Sequence, residues 1–256
     1  MNKVVLITGS TSGIGLAIAR EFAKAGYAIS FNGLEKNGNE IAAEVGKEFN
    51  VKTFFSDANL LDVKAIEKYI SDSEKNLGPI DVLVNNAGIQ FVSEIENFPS
   101  EKWNAIINLN LNAAFHTTQQ VFAGMKKRGW GRIINIASAH GLVASEFKSA
   151  YVAAKHGIVG FTKVTALEGA PFGITANAVC PGYVDTPLVR NQIADQAKTH
   201  NMSEEDVISK IMLQKQAIKK FVNPESLGAL CLFLCSDHAE LITGTAIPVD
   251  GGWTAQ

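Results

Sequence analysis

The residues best suited to chemistry lie between Ser138 and Lys155. Tyr151 and Lys155 are four residues apart, so on a helix their side chains share one face. An ammonium beside a phenol favours the phenolate, so we expect Lys155 to lower the pKa of Tyr151. Such a phenol exchanges a proton with an alcohol or a carbonyl near neutral pH. The alternative is an ordinary Tyr–Lys pair on the surface of a helix. The spacing of these two residues, taken without the rest of the sequence, favours that alternative.

A predicted strand positions Ser138. The apolar run RIINIAS predicts a buried strand that ends at this serine. Open α/β sheets carry their chemistry at the carboxyl ends of their strands. The hydroxyl of Ser138 is therefore expected beside the tyrosine of the following helix.

The start of the chain predicts a dinucleotide site. Residues 3–8 form a short apolar strand, residues 9–15 read GSTSGIG, and a helical pattern follows. Glycines let the backbone approach a pyrophosphate, and a helix N-terminus supplies N–H groups and partial positive charge. The spacing is G-x3-G-x-G rather than the commoner G-x-G-x-x-G, so a simple tight turn is the alternative.

Strands and helices alternate along the whole chain. About seven strands are predicted, which indicates one Rossmann-like α/β domain over residues 1–256, with a doubly wound parallel sheet. A long helical stretch is predicted over residues 101–127, and because it contains Asn108, Asn110 and Asn112, we expect at least one of these asparagines to have a function. Residues 187–220 are more polar, with two predicted helices and no obvious place in the sheet.

Composition excludes several functions. The net charge is −2 and no basic block occurs, so nucleic acid and anionic membranes are not expected partners. The three cysteines are too few for a disulfide framework, and no metal-ligand spacing accompanies Cys231 and Cys235. The first strand starts at Lys3, so no signal peptide is expected. No apolar run approaches the roughly 20 residues needed to span a membrane, and a cytoplasmic protein is expected.

The motifs in combination resemble the short-chain dehydrogenase/reductase family. They are TGSTSGIG, NNAG, LNLN, the Ser138–Tyr151–Lys155 set, PGYVDTP and VDGG, in this order over nearly the whole chain. Each motif alone is unspecific, but their ordered combination is specific. The resemblance implies a Rossmann-like fold, a nicotinamide cofactor and a homotetramer.

The resemblance also assigns catalytic roles. It implies that Tyr151 is the general acid/base and that Ser138 holds the substrate oxygen. Lys155 would bind the nicotinamide ribose, and Asn110 would hold a water that relays protons from Lys155. A protein that uses a hydride-carrying cofactor needs to orient the carbonyl and supply one proton, so these roles are chemically sensible.

A larger set of residues would contact the cofactor. The resemblance puts Asp57 and Ala58 near the adenine, Asn85 near the ribose and Thr186 at the carboxamide. The full set is Gly9, Thr11, Ser12, Gly13, Ile14, Gly15, Gly33, Leu34, Asp57, Ala58, Asn85, Ala87, Gly88, Tyr151, Lys155, Pro181, Gly182, Val184 and Thr186.

Within the family, the chain most resembles bacterial members that oxidise D-3-hydroxybutyrate to acetoacetate. The stretches that carry this likeness include NNAGIQFV and DGGWT. The resemblance implies substrate contacts at Gln90, Ser138, His140, Lys148, Tyr151, Tyr183 and Gln192. Tyr183 is a departure, because close relatives are expected to have tryptophan there. Residues 187–220 would form a lid, and a helical pair at an oligomer interface is the alternative.

The second strand predicts NAD rather than NADP. No arginine or lysine precedes Lys36 in this stretch, and Glu35 would repel a 2′-phosphate, although the usual acidic residue is missing at Gly33.

The leading alternative function is reduction of 3-oxoacyl thioesters or another small ketone. A binding protein without catalysis is a second alternative. Charged and polar donors at Gln90, His140 and Lys148 favour a free carboxylate over a thioester.

Overall fold

Seven parallel strands form the sheet predicted from the sequence. The computed structural model describes residues 2–186, 189–190, 193, 197 and 201–255. The strand order is β3-β2-β1-β4-β5-β6-β7, which confirms the doubly wound Rossmann-like arrangement. The strands are β1 (Val4–Ile7), β2 (Ala28–Asn32), β3 (Thr53–Ser56), β4 (Val82–Asn85), β5 (Gly131–Ile136), β6 (Ile174–Pro181) and β7 (Ala246–Val249).

Helices cover both faces of this sheet. They are α1 (Gly13–Lys24), α2 (Gly38–Phe49), α3 (Val63–Leu77), α4 (Ser100–Ile107), α5 (Ala113–Arg128), α6 (Ser149–Gly169) and α7 (Pro224–Leu234). Phe22 of α1 and Leu227 of α7 belong to one core cluster, whereas Tyr69 of α3 and Met125 of α5 belong to another. Because helices shield both faces, β1, β2, β4, β5 and β6 are buried along their whole length, and their sequences are correspondingly apolar.

The chain reverses its direction of winding between β1 and β4. Strand β1 pairs with β2 on one side and with β4 on the other. Such a switch point leaves a crevice at the carboxyl ends of the two strands, where open α/β sheets bind ligands. The glycine-rich turn follows β1 and the NNAG segment follows β4, so both motifs lie at this crevice.

The helical stretch predicted over residues 101–127 is present, but it is not α-helical throughout. A π-helical turn at Asn108–Asn112 separates α4 from α5. The side chain of Asn110 pairs with the backbone of Ile89, and Asn112 donates to the Oδ1 atom of Asn108 at 2.8 Å. Asparagine side chains that make such bonds favour irregular helical geometry.

The predicted helical pair at 187–220 is described only in part. A short helix, Glu204–Asp206, leads into a π-helical turn at Val207–Met212. Residues 187–188, 191–192, 194–196 and 198–200 lie outside the described residues. Within the described part of the chain, no helix combines the length and apolar character needed to cross a bilayer.

Candidate active site

A cleft of about 520 Å³ lies beyond the carboxyl ends of β4, β5 and β6. Its walls bring together residues that are far apart in the sequence. The predicted site residues that line it are Ile14, Gly88, Gln90, Ser138, His140, Lys148, Tyr151, Lys155, Pro181, Gly182, Tyr183, Val184 and Thr186. Gln192, predicted as a fourth carboxylate-binding residue, lies outside the described residues.

Tyr151 and Ser138 face each other across the cleft floor. Ser138 follows β5, and Tyr151 is in the first turn of α6, with its ring packed in a cluster that contains Ile106 and Ala154. Burial raises the pKa of the Tyr151 phenol, and its hydrogen bond with Ser138 opposes that rise only in part. The phenol is therefore held in its protonated form at neutral pH.

Lys155 does not lower the pKa of Tyr151 in this structure, contrary to our expectation. Its Nζ atom donates to the carbonyl oxygen of Ile136 at 2.7 Å and lies 5.5 Å from the centre of the Tyr151 ring. The ammonium therefore lies over the ring, and Ser138 is the residue that hydrogen-bonds to the phenol. Burial lowers the pKa of Lys155 itself to about 8, which weakens its charge near neutral pH.

Asn110 holds the loop that follows NNAG. Its Oδ1 atom accepts from the N–H of Ile89 and its Nδ2 atom donates to the Ile89 carbonyl, both at 2.9 Å. Beside it lies a small cavity of about 10 Å³, whose lining includes Thr8 and Asn85. That volume is near the lower limit for one water molecule. A proton-relaying water at Asn110 remains a prediction.

His140 and Lys148 form the polar wall opposite the cofactor side of the cleft. The Nε2 atom of His140 lies 3.0 Å from the hydroxyl of Ser145, and its Nδ1 atom lies 3.5 Å from that of Ser138. Burial, followed by the charge of Lys148 and then of Lys215, lowers the pKa of His140 to about 3. His140 is therefore neutral at pH 7 and donates through one ring N–H.

An aromatic pair closes this wall. The rings of Tyr183 and Trp253 are stacked, with 5.9 Å between their centres and an interplanar angle of 7°. Trp253 also meets His140 edge-to-face at 5.0 Å. Tyr183, the departure noted in PGYVDTP, therefore still presents a flat ring to the pocket.

The glycine-rich turn fits a pyrophosphate. Gly9 and Gly13 have φ of +60° and +52°, and a Cβ at Gly15 would lie 2.2 Å from the carbonyl oxygen of Gly9. The first turn of α1 carries neither an acidic residue nor a side-chain cap, so its N–H groups point to the crevice unpaired with side chains. Thr186 faces this turn, because a Cβ at Gly13 would lie 3.7 Å from its Cγ2 atom.

The side chain of Asn85 does not line the cleft, and the placement of Asn85 near the ribose remains a prediction. This side chain is buried, accepts from Thr117 at 2.6 Å and donates to Asn135 at 2.8 Å. Its neighbour Asn86 lines the cleft instead and donates to the carbonyls of Thr8 and Gly9. The inward direction follows from the alternation of side chains along β4.

Glu35 lies beside the glycine-rich turn. Its carboxylate accepts hydrogen bonds from the hydroxyl of Thr11 and, at 3.2 Å, from that of Ser12. Partial burial opposes its ionisation, but these hydrogen bonds and its local backbone contacts outweigh burial and lower its pKa. A Cβ at Gly33 would lie 2.5 Å from Glu35, so the glycine makes room for this carboxylate. Leu34 is exposed beside it, and the carbonyl of Ala58, next to Asp57, accepts from Asn32 at 3.0 Å.

Known proteins share this arrangement. A family model described as short chain dehydrogenase matches residues 3–197. The chain belongs to the short-chain dehydrogenase family. This dehydrogenase is 52% identical to the D-beta-hydroxybutyrate dehydrogenase of Rhizobium meliloti (strain 1021) over 100% of both chains. It is 49% identical to the enzyme of that name from Cupriavidus necator, over 99% of this chain and 98% of the relative.

A solved structure supports the fold of the dehydrogenase. The crystal structure of a variant of actinorhodin polyketide ketoreductase with NADPH superposes with a TM-score of 0.93. It is 35% identical and covers 100% of this chain and 98% of its own. The family membership makes the chain an oxidoreductase, as predicted.

Several residues at the site of this dehydrogenase had no role predicted from the sequence. Trp253 was part of the quoted DGGWT motif but was given no role, whereas it contacts both His140 and Tyr183. Ser145 carried no signal beyond its nearness to His140, and Asn86 belonged to the quoted NNAG motif but was given no role. Glu35 was recognised only as a repulsive charge, and its hydrogen bonds to the glycine-rich turn required the tertiary structure.

Proposed function

We propose that this chain interconverts D-3-hydroxybutyrate and acetoacetate, with NAD as the hydride acceptor. One arrangement supports this function above the others. Gln90, His140 and Lys148 line the same cleft as Ser138 and Tyr151, so donors suited to a carboxylate face the proton-transferring phenol. The names printed for the two relatives near 50% identity point to the same substrate.

The proposed reaction removes a proton and a hydride from one carbinol. Ser138 donates a hydrogen bond to the substrate oxygen, and Tyr151 accepts the hydroxyl proton during oxidation or returns it during reduction. NAD supplies the hydride acceptor when it is bound. Lys155 holds the ribose and, with a water at Asn110, carries the proton away from Tyr151.

The carboxylate would be held on the opposite side of the carbinol. Lys148 offers a cation, neutral His140 offers one ring N–H, and Gln90 offers amide donors from the loop after β4. Such a clamp fixes which carbon faces the nicotinamide, because a four-carbon acid has little apolar surface to orient it. Gln192 is proposed to complete the clamp from a lid over residues 187–220.

NAD is favoured over NADP by Glu35. Its ionised carboxylate lies where the adenosine ribose is expected, and it would accept hydrogen bonds from ribose hydroxyls. A 2′-phosphate would meet a negative charge there. The glycine-rich turn and the N-terminus of α1 would hold the pyrophosphate.

Reduction of 3-oxoacyl thioesters is the alternative function. The likeness to a polyketide ketoreductase favours it at the level of fold and catalytic residues. Lys148 argues against it, because a half-buried cation beside the acyl group has no partner in a neutral thioester.

A substrate panel tests the proposal. D-3-hydroxybutyrate, L-3-hydroxybutyrate, a neutral secondary alcohol and an acetoacetyl thioester are compared by kcat/KM with each cofactor. We expect the D-acid with NAD to be strongly preferred. Lys148→Ala and Gln90→Ala should each lower kcat/KM for the acid by roughly 10- to 150-fold, with NAD affinity unchanged. If both variants keep the wild-type kcat/KM for the acid, reduction of 3-oxoacyl thioesters becomes the better-supported function.

We also propose a homotetramer in the cytoplasm. Exposed apolar side chains on neighbouring helices, Phe115 on α5 with Val164 and Leu167 on α6, form a surface that another copy would cover. The three cysteines are free and buried, which agrees with a reducing compartment.

A further inference from the structure

Lys215 stands on a well-anchored turn beside the active site. The turn is flanked by Leu213 and Gln216, which are both buried, with 1% of their surface exposed. Gln216 donates to the carbonyl of Lys220 at 2.9 Å and accepts from the N–H of Tyr183 at 3.4 Å. The N–H of Ile218 donates to the Gly251 carbonyl at 2.8 Å. These bonds join the C-terminal end of the proposed lid, residues 187–220, to the ends of β6 and β7, so this end is anchored and the backbone holds Lys215 beside the pocket.

Two lysines flank the aromatic pair of the pocket wall. The Nζ atom of Lys215 lies 5.9 Å from the centre of the Trp253 ring, and that of Lys148 lies 5.9 Å from the centre of the Tyr183 ring. Because these two rings stack on each other, the two ammonium groups belong to one wall. Their charges oppose each other: after burial, the charge of Lys215 is the cause that lowers the pKa of Lys148.

A second cavity of about 640 Å³ opens on the outer side of this wall. It shares Lys148, Tyr183 and Trp253 with the catalytic cleft, and Lys215 lines only the outer cavity. Glu146 contributes an exposed carboxylate at the rim of both. A four-carbon acid bound at Lys148 would occupy the cleft and leave the outer cavity to solvent.

We propose that Lys215 and this outer cavity form a second anion subsite, which binds the distal carboxylate of a small dicarboxylic acid whose other end reaches Lys148. A second negative charge there would relieve the repulsion between the two ammonium groups, and the aromatic pair would pack against the connecting methylenes. The subsite would extend the ligand range of the enzyme from monocarboxylates to dicarboxylates. It rests on the proposed function in one respect, namely that Lys148 holds a carboxylate.

Matched acids test the subsite by binding rather than by turnover. Dissociation constants are measured by calorimetry on the enzyme–NADH complex for butanedioate, pentanedioate and hexanedioate and for the monocarboxylates of equal carbon number. We expect at least one dicarboxylate to bind about 10-fold more tightly than its monocarboxylate match. Lys215→Gln should remove that advantage and leave monocarboxylate affinity within about 2-fold.

Lys220→Gln is the matched control, because it removes the same charge from an exposed side chain in the same segment and Lys220 lines neither cavity. The advantage of dicarboxylates should persist in this variant. Three results would overturn the subsite: no dicarboxylate advantage in the wild type, an advantage that survives Lys215→Gln, or loss of the advantage in Lys220→Gln.

Lys148→Gln separates the subsite proposal from the proposed function. If it leaves monocarboxylate affinity unchanged, the carboxylate clamp fails. If it weakens monocarboxylate binding while the wild type shows no dicarboxylate advantage, the outer subsite alone fails.

Discussion

Single residues determine the chemistry of this site through their burial. Tyr151 is the one phenol that lies beside both Ser138 and Lys155, so no neighbouring side chain can replace its proton transfer. We predict that Tyr151→Phe lowers kcat by about 10²–10⁴-fold or more, because it removes the transferring oxygen. The ring packing is retained, so folding and NADH binding should persist. Steady-state kinetics with a parallel NADH titration measures both, and a variant with half the wild-type kcat would refute the role.

The raised pKa of Tyr151 predicts opposite pH dependences for the two directions. Oxidation needs the phenolate as base, and a pKa above the ordinary value means that the phenolate forms only at alkaline pH. The rate of oxidation should therefore rise as the pH increases above neutral, whereas reduction, which needs the protonated phenol, should persist at neutral pH and fall at alkaline pH. Rate profiles under saturating cofactor test this. Oxidation that is fastest below pH 7 would be inconsistent with Tyr151 as the base.

Glu35 makes cofactor choice a property of one carboxylate. We predict that Glu35→Gln lowers the ratio of kcat/KM for NAD over NADP by about 10-fold, because it removes the charge that repels a 2′-phosphate. Glu40→Gln in the exposed first turn of α2 is the control and should leave the ratio unchanged. Direct titration with NADH and NADPH gives the same comparison without turnover. An equal fall for both cofactors would mean that Glu35 only supports the turn.

At the scale of elements, the glycine-rich turn depends on close backbone contacts. The amide of Asn86 binds the carbonyls of Thr8 and Gly9, which joins the end of β4 to the turn after β1. A Cβ at Gly15 would come within 2.2 Å of the Gly9 oxygen and 2.5 Å of the Asn86 Nδ2 atom. Backbone atoms cannot move aside without moving the turn itself, so the cofactor cradle requires glycine here.

We therefore predict that Gly15→Ala weakens NADH binding at least about 10-fold and lowers stability by roughly 1–3 kcal/mol. Gly160→Ala in α6 is the control for cofactor binding, because a Cβ there meets nothing within 4 Å in the protomer and Gly160 lies far along the sequence from the glycine-rich turn. Its NADH affinity should match that of the wild type, and in the isolated protomer alanine is the better helix former. Thermal melts and NADH titrations of both variants measure the difference. Equal behaviour of the two would show that the crowding at Gly15 is relieved without cost.

At the scale of the whole molecule, the exposed apolar helices predict assembly. Leu167 is 77% exposed on α6 and Phe115 is 45% exposed on α5, which is unfavourable for an isolated protomer. We predict that Leu167→Glu shifts the proposed tetramer toward smaller species, because it puts a charge into the surface that another copy is proposed to cover. Light scattering coupled to gel filtration measures the mass. Leu241→Glu, at a site exposed to 90%, offers a control outside these helices, and a tetramer unchanged by Leu167→Glu would exclude this surface.

The sequence by itself determined the parallel sheet and allowed many of the residues that line the cleft to be predicted. Buried parallel strands appear as apolar runs, and the residues that follow them must meet at one edge, so Ser138, Gln90 and the glycine-rich turn could be brought together from local patterns. The likeness of ordered motifs predicted the catalytic set for the same reason, because each motif follows a particular strand or begins a particular helix.

Only the tertiary structure decided how these groups are tuned. The pKa of Tyr151 is raised, rather than lowered, because burial outweighs the hydrogen bond with Ser138, and Lys155 instead donates to Ile136, 19 residues away. Partners distant in sequence also determine the inward direction of the Asn85 side chain, the π-helical turn at Asn108–Asn112 and the contact of Glu35 with Thr11. Spacing along a chain predicts which side chains share a face. Desolvation and hydrogen-bond partners are set by the packing of several elements at once, and a local pattern carries no record of them.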